Sequence, residues 1–453
     1  MRDPDWNALL GDAGRRARDY RNGLPRRRVS PEPAAIAALD QLDHPLPDAP
    51  TDPAEVLATL DRFGSPATVA SAGPRFFGFV IGGSLPAALA ANWLASAWDQ
   101  NTGLFVATPI ATVLEEVAQR WLLDILRLPA GAGVAFVTGA TMANFTALAS
   151  ARQKVLHDAG WDVEAQGLFG APPIAVVISA EAHPSVRNAL HLLGLGRERV
   201  HTMPVDSQGR MIASALPEVA SPAIVCLQAG NVNTGAFDPA PAICEWATRR
   251  GAWVHVDAAF GLWAAAAPEL VHLVDGVAAA DSWATDAHKW LNVPYDSGLA
   301  FVRDPEHLRA AMSVEAAYLP QGEHREPSQY VPELSRRARG VDVWAALLSL
   351  GREGIAELIT RNCRQARRFA EVLAAAGYKV LNEVVLNQVL VSFGSPERTN
   401  EVIRAIQQEG TCWCGGTQWQ GQIAMRISVS NWSTTDQDVE ESLAAILNAA
   451  KAA

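Results

Sequence analysis

From residue 110 onward, short apolar runs alternate with amphipathic stretches, and this alternation leaves the chain few architectures. GVAFVTG (133–139), PIAVVISA (173–180), VHTMPV (200–205), AIVCLQAG (223–230), AWVHVDA (252–258), DSWATDAH (281–288) and GLAFVRD (298–304) read as buried strands. Between them, residues 112–128, 140–156, 183–193 and 240–250 read as helices; in the first, Leu114, Val117, Trp121 and Ile125 share one face. Strands and helices in this order predict an α/β fold with a large, mainly parallel, seven-stranded sheet covered on both faces. Such sheets bind ligands beyond the C-terminal ends of their strands.

The ends of the chain read differently. Residues 1–65 are an N-terminal arm, with Arg15, Arg16, Arg18, Arg21, Arg26, Arg27 and Arg28 in one segment and a Pro-, Ala- and Asp-rich stretch after it. A basic arm can meet nucleic acid, but no aromatic residues interleave with these arginines, so a solvated or partner-docking arm is expected. Residues 66–350 form the large domain. Residues 351–453 form a small α+β domain: helix 354–376, strand-like YKVLN and NQVLVSF, helix 398–409, strand 424–430 and a terminal helix from 436.

Composition excludes several function classes. Of 453 residues, 49% are apolar and 19% charged, which excludes a disordered chain. The net charge of −11 argues against a nucleic-acid partner. Five cysteines are too few for a disulfide scaffold; Cys412 and Cys414 have no second pair to complete a metal site, and His44, His157, His201 and His272 lack ligand spacing, so no metal is expected. The start, MRDPDWNALLGDAGRRARDY, has no apolar signal core, so a cytoplasmic location is expected. Phe79 to Trp98 reaches membrane-spanning length, but Gly82, Gly83, Pro86 and Asn92 make it a buried loop and helix, with no membrane partner.

Four short segments carry chemistry. In TDAHKWLNVPYDSG, Lys289 follows an apolar strand. It is either a surface lysine starting a turn or an amine poised to form a Schiff base. In AWVHVDAAFG, Asp257 closes a strand of Trp and Val. It either caps the next turn or meets a cation such as a protonated ring nitrogen. In GVAFVTGATMAN, Gly139, Ala140 and Thr141 open a helix, which is either an ordinary cap or a phosphate-binding turn, with hydroxyls from Thr138 and Thr141. His183, after the strand 173–180, is either a cap, a core histidine or a ring stacked on a cofactor.

Taken in this order, with QAGNVNTGAFDPAPAI (228–243), these motifs resemble the group II pyridoxal-phosphate-dependent amino-acid decarboxylases, of the aromatic-L-amino-acid and glutamate decarboxylase type. The resemblance covers roughly residues 65–450. It implies a fold-type I transferase-like architecture, pyridoxal 5'-phosphate as cofactor and a homodimer clasped by the N-terminal arm. It also implies that Lys289 carries the Schiff base, Asp257 pairs with the pyridine nitrogen and His183 stacks on the ring. Gly139, Ala140, Thr141 and His288 would surround the phosphate, and Asn231 would face the cofactor. The family often has Asn-Pro before its His-Lys pair. Here Asp286 and Ala287 stand there, and repulsion from a phosphate is expected to turn Asp286 away.

The same resemblance implies an acid on a mobile loop between the domains. Segment 316–340 is polar and Pro-punctuated, and the loop is expected over 316–335, with Tyr330 as donor or Tyr318 in its place. His324 reads as a solvated residue or a proton relay. Arg426, mid-strand, would bind a substrate carboxylate or an internal acid. Phe79, Trp98 and Phe105, with Phe76 and Phe77, would line an apolar site suited to an aromatic or bulky amino acid. The expected reaction is decarboxylation of an L-amino acid to its amine. The alternatives are aldol cleavage, transamination or decarboxylative oxidative deamination to an aldehyde on the same scaffold.

Overall fold

A computed structural model of the chain describes residues 5–314 and 324–453. Seven strands form the large sheet: β1 Gly133–Val137, β2 Ala175–Ser179, β3 Val200–Met203, β4 Ala223–Gln228, β5 Trp253–Asp257, β6 Ser282–Asp286 and β7 Gly298–Val302. Their spatial order is β1-β7-β6-β5-β4-β2-β3. All neighbours are parallel except β7, which runs antiparallel to both β1 and β6. The reversal follows from chain length. Residues 287–297 join β6 to β7 directly, and a parallel return would need a longer crossover. That short connection carries Lys289.

Alternate strand residues supply the two faces of this sheet. Val134, Phe136, Val225, Leu227, Val256, Trp283 and Phe301 pack into one core, while Val137, Ile178, Ile224, Cys226, Ala284, Ala300 and Val302 pack into the other. The helices Ala140–Asp158 and Pro184–Leu192 contribute to the second core.

A smaller antiparallel sheet follows, from β8 Lys379–Val380, β9 Gln388–Ser392, β10 Gly415–Trp419 and β11 Gln422–Ser428, ordered β10-β11-β9-β8. It packs under the helices Pro396–Glu409 and Asp436–Ala452, the latter started by a capping box of Thr435 and Asp438. The preceding helix starts earlier than its sequence pattern indicates. It spans Arg339–Ala375, with a break at Gly351, whose φ of 59° only glycine adopts readily.

Two expectations need correction. The helix Pro86–Trp98 exists, but within one chain it is not buried: Ala88 is its sole buried residue, and Trp93, Leu94 and Trp98 are exposed. The arginines of the arm are not simply solvated. Arg16 pairs with Asp12 and Asp61, Arg27 donates to the carbonyls of Ser65, Pro66 and Thr68, Arg21 to that of Ser84 and Arg28 to that of Gln408. They tie the helix Trp6–Gly23 and its sequel to the body.

The segment after the undescribed stretch is anchored by charge. Arg336 Nη2 lies 2.7 Å from Glu115 Oε1, both side chains 1% exposed, and Nη1 donates to the Phe136 carbonyl at 3.2 Å. Removing one partner strands a buried charge. Arg336→Ala is therefore expected to cost about 3–5 kcal/mol, read as a lowered urea midpoint, whereas the paired replacement Glu115→Leu with Arg336→Met is expected to recover most of it.

Candidate active site

The C-terminal ends of β1, β2, β4, β5 and β6 converge on one cleft. Gly139 follows β1, His183 follows β2, Asn231 follows β4, Asp257 ends β5, and Asp286, His288 and Lys289 stand at the end of β6. Asp257 pairs in register with Gln228 and Ala284, which holds its carboxylate near the middle of the sheet edge.

Asp257 is 5% exposed, and its carboxylate has one side-chain partner, the Ser185 hydroxyl at 3.5 Å. Among the described residues no basic side chain lies within ion-pair distance of it. A buried carboxylate lacking a cation is costly, so the position suits a cationic ring nitrogen. His183 caps the helix Pro184–Leu192, its Nδ1 accepting from the Ser185 backbone N–H at 3.2 Å and lying 2.8 Å from the Ser185 hydroxyl. Burial pushes the His183 pKa down, against the pull of Asp257.

Asp286 does not turn away. Its Oδ2 lies 3.0 Å from Lys289 Nζ, and Oδ1 lies 3.5 Å from His288 Nε2 without a hydrogen bond. The Lys289 ammonium three residues on holds the carboxylate in this rotamer. Burial lowers the His288 pKa, with Asp286 opposing. Tyr295, 54% exposed, stacks its ring on His288 with centroids 4.1 Å apart, and its phenol pKa is shifted upward by partial desolvation, with the nearby Asp286 carboxylate adding to the shift, so it keeps its proton. Sequence reasoning missed Tyr295; the NVPYD run after Lys289 was the available signal.

The phosphate end also has a shape. The helix Ala140–Asp158 has no side-chain cap, so its first N–H groups are open. A Cβ on Gly139 would meet His288 Cε1 at 3.1 Å, and one on Gly298 would meet Gly139 Cα at 2.4 Å. Asn231 is 1% exposed, with its Nδ2 buried and unpartnered. Open helix N–H groups, a carboxylate awaiting a cation, an orphaned amide and a lysine amine are the features that fit a phosphorylated pyridine aldehyde. Lys289, Asp257, His183, His288, Asn231 and the Gly139–Ala140–Thr141 turn could hold it.

A second missed residue, Asn292, holds the cleft's floor. It adopts φ 56°, which Asn tolerates, and its Oδ1 accepts from Gly83 N and Trp432 N while its Nδ2 donates to the Trp290 and Ser430 carbonyls. Gly82 lies against the Lys289 backbone, where a Cβ would fall 1.8 Å from the Lys289 carbonyl oxygen. Gly82→Ala is therefore expected to cost about 1–3 kcal/mol in a urea melt and to weaken cofactor retention in a spectrophotometric titration.

The expected substrate and acid residues are less gathered. Phe76 stacks on Trp413 and Phe79 packs against the same ring at a tilt of 36°, and Phe79 is exposed; Phe77 packs edge-on to Phe369 in the small core. Phe79 and Val80 both have φ 55°, a strained pair ahead of Gly82. Trp98 is exposed, and Phe105 stacks on the exposed His324 at 3.9 Å. Arg426, on β11, has no carboxylate partner among the described residues; it donates to the Val232 carbonyl and Asn233 Oδ1, each at 3.3 Å. Burial lowers its pKa.

Tyr330 is not beside Lys289. The Arg325 guanidinium sits 3.6 Å over its ring and donates to the carbonyl of Val134, near the start of β1. That is the end of the strand opposite Gly139, ~16 Å away by strand rise. Tyr318 lies outside the described residues, as does part of the loop 316–335.

Comparison with known proteins shows the family. Residues 36–394 match the pyridoxal-dependent decarboxylase conserved domain. The chain is 26% identical over 444 residues to an aromatic-L-amino-acid decarboxylase of Bacillus atrophaeus, covering 93% of this chain and 90% of that protein. It is 28% identical over 359 residues to a phenylacetaldehyde synthase of Petunia hybrida, covering 74% and 69%. In fold it is similar to Oryza sativa TDC crystallised with PLP and tryptamine, with a TM-score of 0.92 at 23% identity, covering 100% of this chain and 99% of that one. With most of its length inside the matched domain, the chain belongs to the pyridoxal-dependent decarboxylase family, and its cofactor is pyridoxal 5'-phosphate.

Proposed function

We propose that the protein removes the α-carboxylate of an L-amino acid with an aromatic or bulky apolar side chain, releasing CO2 and the amine. The observation that carries this reading is the buried, cation-free Asp257 in the same cleft as the Lys289 amine. The substrate class draws support from the Bacillus atrophaeus relative and from the phenylalanines of segment 76–105.

When bound, the cofactor supplies a sink for the electron pair left at Cα as the carboxylate departs. The protein's residues do the rest. Lys289 would hold the cofactor through its amine. Asp257 would keep a positive charge on the ring nitrogen. His183 would shield the ring from water. The open N–H groups at Ala140 and Thr141, with His288, would hold the phosphate. Arg426, free of a carboxylate partner, binds the substrate carboxylate. One proton must then reach Cα, from Tyr318 or Tyr330 of the loop.

The position of Tyr330 under Arg325 and the Petunia relative favour one second reading, decarboxylation with oxidative deamination to an aldehyde. We infer a homodimer, in which a second copy covers the exposed Trp93, Leu94, Val106, Ile110 and Val113. All five cysteines are free and buried, which suits a cytoplasmic enzyme. Among the described residues no helix is long and apolar enough to cross a membrane.

Holoenzyme incubated with a panel of L-amino acids, with CO2 and organic products quantified by mass spectrometry, tests the reading. Amine equal to CO2 is expected. Aldehyde equal to CO2 selects the second reading, and no CO2 from any amino acid overturns both.

A further inference from the structure

We propose that Ser185 is a positioning residue. A buried line of hydrogen bonds running up from Trp253 directs its hydroxyl proton toward the cleft, and this fixes His183 as the neutral tautomer with its proton on Nε2. The proposal deepens the reading of His183 and Asp257 as cofactor-facing residues and rests on it.

The direction of the line follows from its first member. The Trp253 indole can only donate, and it donates to Ser282 Oγ at 2.8 Å. The Ser282 oxygen could accept twice, but His255 Nδ1, 2.9 Å away, is the one acceptor its buried hydrogen reaches among the described residues, so the hydrogen goes there. His255 must carry its own proton on Nε2, which donates to Asn144 Oδ1 at 2.8 Å. That orients the Asn144 amide nitrogen, which donates to Ser185 Oγ at 3.2 Å. Ser282, His255 and Asn144 are fully buried, and Ser185 nearly so. Burial pushes His255 down to about 3, so the imidazole stays neutral and has one hydrogen to place.

Ser185 therefore receives a hydrogen from below and has one to give. Two acceptors face it: His183 Nδ1 at 2.8 Å and Asp257 Oδ2 at 3.5 Å. His183 Nδ1 also accepts the Ser185 backbone N–H. A proton placed on Nδ1 would face both donors, so the ring stays neutral with its hydrogen on Nε2. The charges that face His183 are Asp257 and Asp286 on one side of the balance, Lys289 and Arg426 on the other. Rotation about one bond moves the Ser185 hydrogen from His183 to Asp257, so both residues read the same buried donor. Neither His255 nor Asn144 has another role in the cleft. The line gives a reason for a polar string in a core that is otherwise apolar.

The test is nitrogen-15 NMR of histidine-labelled protein, with and without bound cofactor, the His183 signal being identified by its loss in His183→Gln. Wild type is expected to show His183 neutral and protonated on Nε2 near neutral pH. Ser185→Ala, which keeps the backbone donor and loses the hydroxyl, is expected to raise the His183 pKa by about one unit and to weaken the preference for Nε2 protonation. Ser185→Thr, which keeps the hydroxyl, should restore the wild-type signal. Trp253→Phe, at the far end of the line, should mix the tautomers of His255 and His183, and it carries the test if Ser185→Ala fails to fold. An unchanged His183 tautomer and titration in a folded Ser185→Ala or Trp253→Phe protein overturns the proposal. Failure of wild type to take up cofactor instead overturns the functional reading, while the cofactor-free tautomer still reports on the line.

Discussion

Lys289→Ala protein is expected to fold, to bind pyridoxal phosphate without covalent capture, and to lose turnover by more than ~10⁴-fold. The size follows from two losses at once. Proton transfer by a positioned group contributes about 10²–10⁴, and on the proposed reading the Lys289 amine would supply such transfer during the exchange with the substrate amine as well as the covalent anchoring. The substitution also frees Asp286, whose Oδ2 pairs with the amine at 3.0 Å. A buried carboxylate without its ammonium repels a phosphate, so cofactor affinity should fall too. Adding Asp286→Asn to Lys289→Ala should return part of that affinity without returning turnover. The checks are borohydride fixation, a cofactor titration and product formation. Full activity in Lys289→Ala would remove the lysine from the mechanism.

Asp257→Ala is expected to lower turnover by ~10²–10⁴-fold, because on the proposed reading it takes away the anion that keeps the ring nitrogen charged. Breaking a buried charge pair costs about 3–5 kcal/mol, and a factor of ten in rate is about 1.4 kcal/mol. Before cofactor arrives, the same carboxylate is a burden on the fold, buried with one hydroxyl neighbour at 3.5 Å. The cofactor-free variant should therefore match or exceed wild type in a urea melt, while the holo form is weakened. Opposite signs in the two melts distinguish a charge partner from a structural cap; destabilisation of both would support the cap.

Much of this fold is legible in the sequence because burial on both faces makes each strand of the large sheet a short apolar run. β10 escaped for the complementary reason: GGTQW is an edge strand, largely unburied, and pairs only with β11. The residues of the cleft stand out where a polar side chain ends an apolar strand, as Asp257 does. The orientation of Asp286 is not legible from charge repulsion alone, because the Lys289 ammonium beside it pairs with the carboxylate. The place of Tyr330 is not legible because loop residues carry no periodicity, and its anchor, Arg325 on the Val134 carbonyl, is a long-range contact. Whether the apolar helix Pro86–Trp98 is covered by its own chain or by another is likewise invisible in composition.

Asn292 joins Gly83, Trp290 and the Ser430–Trp432 stretch, segments drawn from nearly the whole length of the chain. A junction of that span has a high contact order, so it closes late in folding, after the C-terminal segment has left the ribosome. Nascent or partly folded chains then present no finished cleft and cannot capture cofactor prematurely. Once the junction closes, cofactor binds the native state alone and draws the folding equilibrium forward by mass action.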